Sequence, residues 1–360
     1  MRKVGQFNVG TRVLSVAAAA ALLGLAGTAW AWDTATDISG PGASIGLLHL
    51  AVDGKGRTAA VWSEYDGLSN QRAVAALRQP GQSFGGPAQI SFGGASAYGN
   101  AIAVSKKGHI AVVWRRSDGS TYSTAQIAVA EPGAASFGTP VNVSPVDGWA
   151  DSVLVGMDKK GNTTVLWEDF ATGYDPTAAT RTVGGSFGTP QTISTSGSNG
   201  LQLIEDAKGN AVAFWHDHDG MNYVIYASVR PADGPFGTPQ LINDAMTPGT
   251  FPTGACDRKG NAFVGWWGYG ATLAAKNSTF GIPVSTPMGQ GTEFAFDKKG
   301  NLSAFSAGIG FGYTARYALR PAGGEFGAAT EISTPGDPTR NSSAVRSIAS
   351  PLFTACSFCV

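Results

Sequence analysis

Side chains able to do chemistry recur in this chain just after a repeated tryptophan, in segments that differ from one another. They include carboxylates, guanidinium groups, imidazoles and aromatic rings, which serve in acid–base catalysis and in ligand binding by loops. The candidate ligand-binding residues are Glu64, Tyr65, Arg115, Arg116, Glu168, Asp169, His216, Asp217, His218, Trp267 and Tyr269. We assign no catalytic residue among them, because no carboxylate has an evident partner that would tune its pKa.

The sharpest local pattern is the segment 215–219, which reads Trp-His-Asp-His-Asp. Two histidines one residue apart, flanked by carboxylates, suit zinc or another transition metal, and the two aspartates suit calcium. A zinc site needs three or four converging ligands, and His49 and His109 lie in other units with no visible link to this segment. We therefore interpret the segment as a solvated loop and predict neither a metal nor a cofactor.

These segments belong to a repeat of about fifty residues. A motif that ends in glycine occurs at 53–56, 105–108, 158–161, 206–209, 257–260 and 297–300, with its glycines 52, 53, 48, 51 and 40 residues apart. Nine residues after the first motif position, five copies have a tryptophan and the sixth has a serine: Trp62, Trp114, Trp167, Trp215, Trp266 and Ser306. A Phe-Gly pair follows in each copy, and six units with the same anchors in the same order indicate a repeat architecture.

Each unit is predicted to form four short antiparallel strands. The motif, usually Asp-x-Lys-Gly, is typical of a tight hairpin in which the aspartate accepts hydrogen bonds from the turn and the glycine takes a positive φ. The strand that leads to the tryptophan has neighbouring apolar residues, as in Val112 with Val113 and Val165 with Leu166, so both of its faces are buried. A fourth strand that carries a proline suits a sheet edge. The abundance of glycine and proline, 50 and 19 residues, fits this all-β interpretation.

Sheets that are apolar on both faces and repeat six times favour an all-β, six-bladed β-propeller of four-stranded antiparallel blades. Residues 35–39, Ala-Thr-Asp-Ile-Ser, are predicted to be a fourth strand that completes the last blade and closes the ring. Residues 330–333, Thr-Glu-Ile-Ser, can do the same, so one of the two segments is surplus. The alternative is therefore a propeller of seven blades whose partial last blade uses residues 334–350.

These repeats resemble the exported bacterial propeller repeats written Asp-x-x-Gly-Asn-x-x-x-x-Trp, which are distantly similar to sialidase-like propellers. The resemblance covers nearly the whole chain after the leader and implies the fold. It implies much less about activity, because the Asp-box of sialidases has another spacing, Ser-x-Asp-x-Gly-x-x-Trp. The sialidase set of three arginines, a tyrosine with its acidic partner and a central acid cannot be placed in this sequence.

The first 31 residues have the pattern of a signal peptide. Arg2, Lys3 and Arg12 precede or flank an apolar run over 13–25, and Ala29-Trp30-Ala31 fits the cleavage rule. The run is shorter than the roughly 20 residues of a spanning helix, so we expect cleavage, a secreted or periplasmic location and no transmembrane segment in the mature chain. We expect a propeller over 32–350 and an apolar tail over 351–360.

The three cysteines leave the disulfide pattern open. In an oxidising compartment Cys356 pairs with Cys359, or Cys256 pairs with one of those two and ties the tail to the fifth unit. No thioredoxin-like βαβ pattern surrounds the two C-terminal cysteines.

The predicted topology gives the propeller two different faces. The hairpin face contains the six Asp-x-Lys-Gly turns, with eleven basic residues that we interpret as solubilising: Lys55, Arg57, Lys106, Lys107, Lys159, Lys160, Lys208, Arg258, Lys259, Lys298 and Lys299. The post-Trp face contains the segments after each tryptophan and the links between blades. A formal charge of zero argues against nucleic acid as a partner.

We expect a monomeric, non-catalytic binding module that uses the post-Trp face for a glycan or for a protein of the cell envelope. The alternative is a sialidase-like hydrolase or lyase whose acid and base are carboxylates of the same face, with Glu64, Glu168, Asp169 and Asp217 as candidates.

Overall fold

The computed structural model describes residues 36–332 except 42, 68–69, 92–95, 118, 120–121, 147, 245, 276, 290 and 308–314. Over this range the chain is a six-bladed β-propeller, with six sheets of four antiparallel strands each, as the repeats predict. The predicted signal peptide, the tail over 351–360, the segment 334–350, Cys356 and Cys359 lie outside the described residues.

Each blade is built from four strands that follow one another in the chain. Their bounds are β1 Ile45–Val52, β2 Thr58–Tyr65, β3 Gln71–Arg78, β4 Ala88–Gln89; β5 Ala97–Val104, β6 Ile110–Ser117, β7 Ser123–Ala130, β8 Val141–Asn142; β9 Ala150–Met157, β10 Thr163–Asp169, β11 Asp175–Arg181, β12 Gln191–Thr192; β13 Asn199–Glu205, β14 Ala211–His218, β15 Tyr223–Arg230, β16 Gln240–Leu241; β17 Thr253–Cys256, β18 Ala262–Trp266, β19 Tyr269–Leu273, β20 Val284–Ser285; and β21 Thr292–Phe296, β22 Leu302–Ala307, β23 Ala315–Arg320, β24 Thr330–Glu331. A 3₁₀ helix, Phe170–Thr172, follows β10.

The fourth strand of the sixth blade comes from the C-terminal side of the repeats. Thr330 and Glu331 pair with β23, whereas residues 36–39 form no strand, so the prediction of a strand over 35–39 is wrong for its described part. Ile38 instead packs against a cluster in the first blade that includes Ala60 and Trp62. The position expected for the N-terminal segment is thus already filled by β24.

The second strand of each blade forms the centre of the core. In the first five blades its residues are buried on both faces, as in β6, where five consecutive residues from Ile110 to Trp114 are buried; in β22 buried residues alternate with half-buried ones. The five repeat tryptophans are almost fully enclosed, as expected at the end of strands that the sequence predicts to be buried on both faces. Sheets with two apolar faces are covered on both sides only when blades pack against one another, and the innermost strands contact each other in chain order from β1 to β21.

The hairpins are fixed by their own polar side chains. In the third blade, the Asp158 carboxylate accepts hydrogen bonds from the backbone N–H groups of Lys160, Gly161 and Asn162 at 2.7–2.9 Å. The Asn162 side chain donates to the same carboxylate at 2.8 Å, and its oxygen accepts from the Val183 amide at 3.0 Å. Asn210, Asn261 and Asn301 repeat this bridge, so the residue after the glycine joins the two turns of one blade.

The first blade replaces this asparagine with Arg57, which links two blades. Its guanidinium donates to the carbonyl oxygens of Gly108 at 3.1 Å and Glu131 at 2.8 Å, and also to that of Ala134. Arg57 is buried, so it does not belong to the exposed basic ring in which the sequence places it. Charge-assisted hydrogen bonds to carbonyl groups offset the desolvation of its guanidinium.

A buried carboxyl group lies between the third and fourth blades. Glu205 contacts the Arg230 guanidinium, 3.4 Å from Nη2 to Oε1, and its other oxygen has no hydrogen-bond partner among the described residues. Burial raises the pKa of Glu205 to about 8, and this effect outweighs the attraction of Arg230, which lowers it. The carboxyl is therefore predominantly protonated at neutral pH.

We predict that Asp158→Ala lowers the free energy of unfolding by about 2–3 kcal/mol, because several turn amides lose their acceptor. Asp158→Ser is expected to lie between wild type and alanine, since Ser105 at this position in the second blade accepts the His109 amide at 3.0 Å. Chemical denaturation of the three proteins measures the effect. Equal stability of Asp158→Ala and wild type would contradict a structural role for the aspartate.

We predict that Glu205→Gln stabilises the protein more at pH 8 than at pH 4.5. Below pH 4.5 both folded and unfolded states keep the proton; above it the unfolded state loses the proton first, so Glu205 lowers stability as the pH rises toward 8. The gain at pH 8 is about 4 kcal/mol by linkage.

Melting temperatures over this pH range measure the difference between Glu205→Gln and wild type, with Asp233→Asn in an exposed turn as control. A difference that is constant with pH, or largest at low pH, would indicate an ionised Glu205.

Candidate functional site

The post-Trp face brings residues of neighbouring blades together at the ends of the innermost strands. Arg115 at the end of β6 binds Asp151 of β9, 2.9 Å from Nη1 to Oδ1, and its guanidinium lies 5.1 Å from the centre of the Tyr98 ring. Arg116 beside it is half-buried. Arg115 is thus a link between the second and third blades as well as a candidate binding group.

Several carboxylates of this face are engaged in structural contacts. Glu64 accepts a hydrogen bond from the Trp62 indole at 3.0 Å, and Asp169 caps the 3₁₀ helix by accepting from the Ala171 amide at 3.1 Å. Asp217 accepts from the His218 amide at 2.7 Å. Among the residues that the sequence offers as acid or base, these three carboxylates therefore stabilise their own loops.

Glu168 differs from these carboxylates because it is buried. Its carboxylate accepts a hydrogen bond from the Ser198 hydroxyl at 3.2 Å, and Asp151 is its direct partner in the pairing of β10 with β9. Burial raises the pKa of Glu168, and hydrogen bonds from Ser152 and Ser198 counteract this in part. Of the four carboxylates that the sequence offers as acid or base, Glu168 alone is buried.

The two histidines of β14 have different surroundings. His216 is buried, and its Nδ1 accepts from the Phe251 amide at 3.3 Å, which leaves the ring proton on Nε2. Burial lowers the pKa of His216, so its ring is neutral at pH 7. His218 is exposed, and its Nδ1 accepts from the Gly220 amide. Among the described residues, no group of three or more His, Cys, Asp or Glu side chains is arranged to hold a metal ion.

Aromatic rings gather around His216 on the fourth and fifth blades. The Phe251 ring lies 4.8 Å from His216, and Tyr223 lies 5.1 Å from His218, measured between ring centres. Phe251 is 58% exposed and Trp267 is 63% exposed, and both line one small depression. We call Tyr223, Phe251 and Trp267 the aromatic patch. Tyr269, in contrast, packs partly buried against the core of the fifth blade, and Tyr65 is exposed on the first blade.

One structural feature is not predicted from the sequence. At the start of the innermost strand of each blade, near the axis, one residue has a left-handed backbone conformation. Nine residues before each hairpin glycine the backbone has a positive φ: Leu47 at 47°, Gly99 at 59°, Ser152 at 46°, Gly200 at 60°, Phe251 at 49° and Gly291 at 73°. In the first four blades this residue begins a bulge opposite the tryptophan, where the register of the first strand shifts. Only three of the six positions are glycine, so the sequence has no motif that would predict this conformation.

The hairpin face has two features of its own. Ten of its eleven basic residues are exposed, all except Arg57. A cavity of about 810 Å³ lies between the fourth and fifth blades near their hairpins. Of the polar groups that line it, Asp206 holds its own turn, Arg230 binds Thr164 and the Gly209 carbonyl, and Gln240 bridges to Ser278 and Phe280. These groups are committed to joining the blades.

Among the described residues, no helix has the length and apolar character that crossing a membrane requires.

No protein-family model matches the chain, and no curated protein sequence matches it. Solved structures with similar folds include the Hadza microbial sialidase Hz136, with TM-score 0.44, 9% identity and coverage of 73% of this chain and 63% of that chain. The intramolecular trans-sialidase from Ruminococcus gnavus has TM-score 0.48 and 8% identity, with coverage of 76% and 92%.

The α-L-arabinofuranosidase Arb93A from Fusarium graminearum has TM-score 0.44, 12% identity and coverage of 84% of this chain and 95% of that chain. The present chain spans less than two thirds of the length of the Hadza sialidase. At these identities the similarity concerns the arrangement of strands alone.

Proposed function

We propose that this protein is an exported, non-catalytic binding module that holds a glycan of the cell envelope on its post-Trp face. The observation that carries the proposal is the aromatic patch of Tyr223, Phe251 and Trp267. Large exposed rings on a rigid scaffold are typical of ligand-contacting surfaces, since their burial on binding releases water at little entropic cost.

The chemistry around the patch suits a sugar. The neutral His216 leaves a ring N–H on Nε2, and exposed Asp219 and His218 provide further polar groups at its edge. Apolar C–H surfaces of a sugar pack on aromatic rings while its hydroxyl groups bind polar groups at the rim, which is the usual composition of small-molecule sites. The structural engagement of Glu64, Asp169 and Asp217 favours binding over hydrolysis.

A hydrolase is the second candidate, and one observation favours it. Glu168 has a raised pKa, and its partner in the pairing of β10 with β9 is Asp151. The Asp151 carboxylate in turn contacts Arg115. Two adjacent carboxyl groups in different environments can have different pKa values, so that one can act as general acid and the other as general base. Glu168 is buried against Ser198, however, and a general acid must reach the bond that it protonates.

We predict that Trp267→Ala weakens glycan binding at least tenfold, which corresponds to about 1.4 kcal/mol, because the patch loses its most exposed ring. A glycan array with purified protein identifies the bound glycan, and calorimetric titration measures the affinity of wild type and variant. Ile282→Ala, an exposed apolar residue elsewhere in the same blade, is the matched control and is expected to bind as wild type. Binding that survives Trp267→Ala unchanged would contradict the use of the patch, and binding of an envelope protein with no glycan would favour a protein ligand.

We predict no release of sugar from any glycan that the protein binds. Product analysis by mass spectrometry after prolonged incubation tests this. Release by wild type that Glu168→Gln abolishes would establish the hydrolase instead.

A further inference from the structure

The left-handed positions of the innermost strands alternate around the propeller. The first, third and fifth blades have side chains there, Leu47, Ser152 and Phe251, whereas the second, fourth and sixth have glycine. The six positions have the same spacing as the hairpin glycines, so they are one structural position repeated in every blade. Alternation in a six-bladed ring distributes three side chains evenly around the axis.

Side chains at this position oppose the local backbone preference. A bulge whose first residue is left-handed normally has glycine there, and a bulky residue with positive φ is a strained outlier. Leu47 is 56% exposed, Phe251 is 58% exposed and Ser152 is exposed as well, so core packing does not explain why the strain is retained. Retained strain at side chains that stay exposed is characteristic of a contact surface.

The three residues lie where the post-Trp face meets the axis. Leu47 and Ser152 belong to the innermost strands β1 and β9, and Phe251, which is also part of the aromatic patch, lies two residues before β17. The ionisable groups beside Ser152 are Glu168, to which the Ser152 hydroxyl donates a hydrogen bond, Asp151, which accepts from the Ser152 amide at 2.9 Å, and Arg115, which binds Asp151. The ring therefore offers two apolar side chains, the acceptor oxygen of one hydroxyl group and no net positive charge.

We infer that Leu47, Ser152 and Phe251 form a ligand-contacting ring at the axial end of the post-Trp face and that this ring takes an uncharged sugar residue. The inference rests on the proposed glycan-binding function and names its substrate class. Leu47 and Phe251 pack against the C–H faces of the sugar, and the Ser152 hydroxyl hydrogen-bonds its edge. An acidic sugar would need a cation at the ring to compensate its desolvated carboxylate, and the adjacent cation is already paired.

Substitution by glycine distinguishes a ligand-contacting role of the three residues from a structural role. Leu47→Gly, Ser152→Gly and Phe251→Gly each relieve the left-handed strain, so we expect a melting temperature that is unchanged or higher by up to about 2–4 °C. Leu48→Gly is the matched control, since Leu48 neighbours Leu47 in β1, is 51% exposed and has no positive φ. It is expected to lower the melting temperature and to keep ligand affinity.

The experiment is a glycan array divided into neutral and acidic panels, followed by titration of the best-bound neutral oligosaccharide into each variant. We expect binding to the neutral panel, with at least tenfold loss of affinity in Leu47→Gly and Phe251→Gly and a smaller loss in Ser152→Gly. A triple glycine variant that binds within twofold of wild type would overturn the inference, as would binding confined to the acidic panel or glycine variants as destabilised as Leu48→Gly.

The outcomes also separate this inference from the proposed function. Loss of binding in Trp267→Ala with full affinity in the triple glycine variant would remove the ring and keep the glycan-binding face. A wild-type protein that binds no glycan in either panel would overturn both.

Discussion

The structure depends on central strands that are buried on both faces, as they are in the first five blades. The central strands leading to Trp114 and its repeat equivalents have side chains enclosed on both sides, so a single blade cannot be stable in water. Each sheet is covered only by the next one, and hydrophobic burial of this kind contributes about 25 cal/mol per Å² of apolar surface. Face-to-face packing of blades then leaves only the strand ends and their loops available for function.

The hairpin face and the post-Trp face differ in the contacts that their side chains make. At the hairpin face, polar side chains are committed to the fold: Asp158 holds its turn, Asn162 joins two turns and Arg57 ties neighbouring blades. At the post-Trp face the loops differ between blades, and large rings such as Trp267 stay exposed. Uniform structural bonding on one face and diversity on the other is the distribution expected when one face binds a ligand.

The sequence predicts the fold well because its signals are local and repeated. The hairpin motif and the tryptophan nine residues later have fixed roles within one blade, and the structure confirms both roles for Asp158 and Trp167. The fourth strands were harder, since each is only two residues long, and the segment 35–39 resembles the Ile-Ser pair of a true fourth strand without forming one in its described part.

The candidate site is less predictable, because it depends on contacts between blades. The sequence singles out His216 and His218 as a pair, but the fold buries the first against Phe251 and exposes the second. Phe251 itself lies in a link between blades and has no motif around it. Its left-handed backbone repeats that of Leu47 and Ser152 in other blades, and these three residue types share no property that would predict it.

The most direct measurement is a crystal structure of the protein with its best-bound neutral oligosaccharide. The account predicts a sugar on the post-Trp face, stacked on Phe251 and Trp267 and in contact with Leu47 or Ser152 at the axis. A sugar bound among the exposed lysines of the hairpin face, or in the cavity between the fourth and fifth blades, would contradict it.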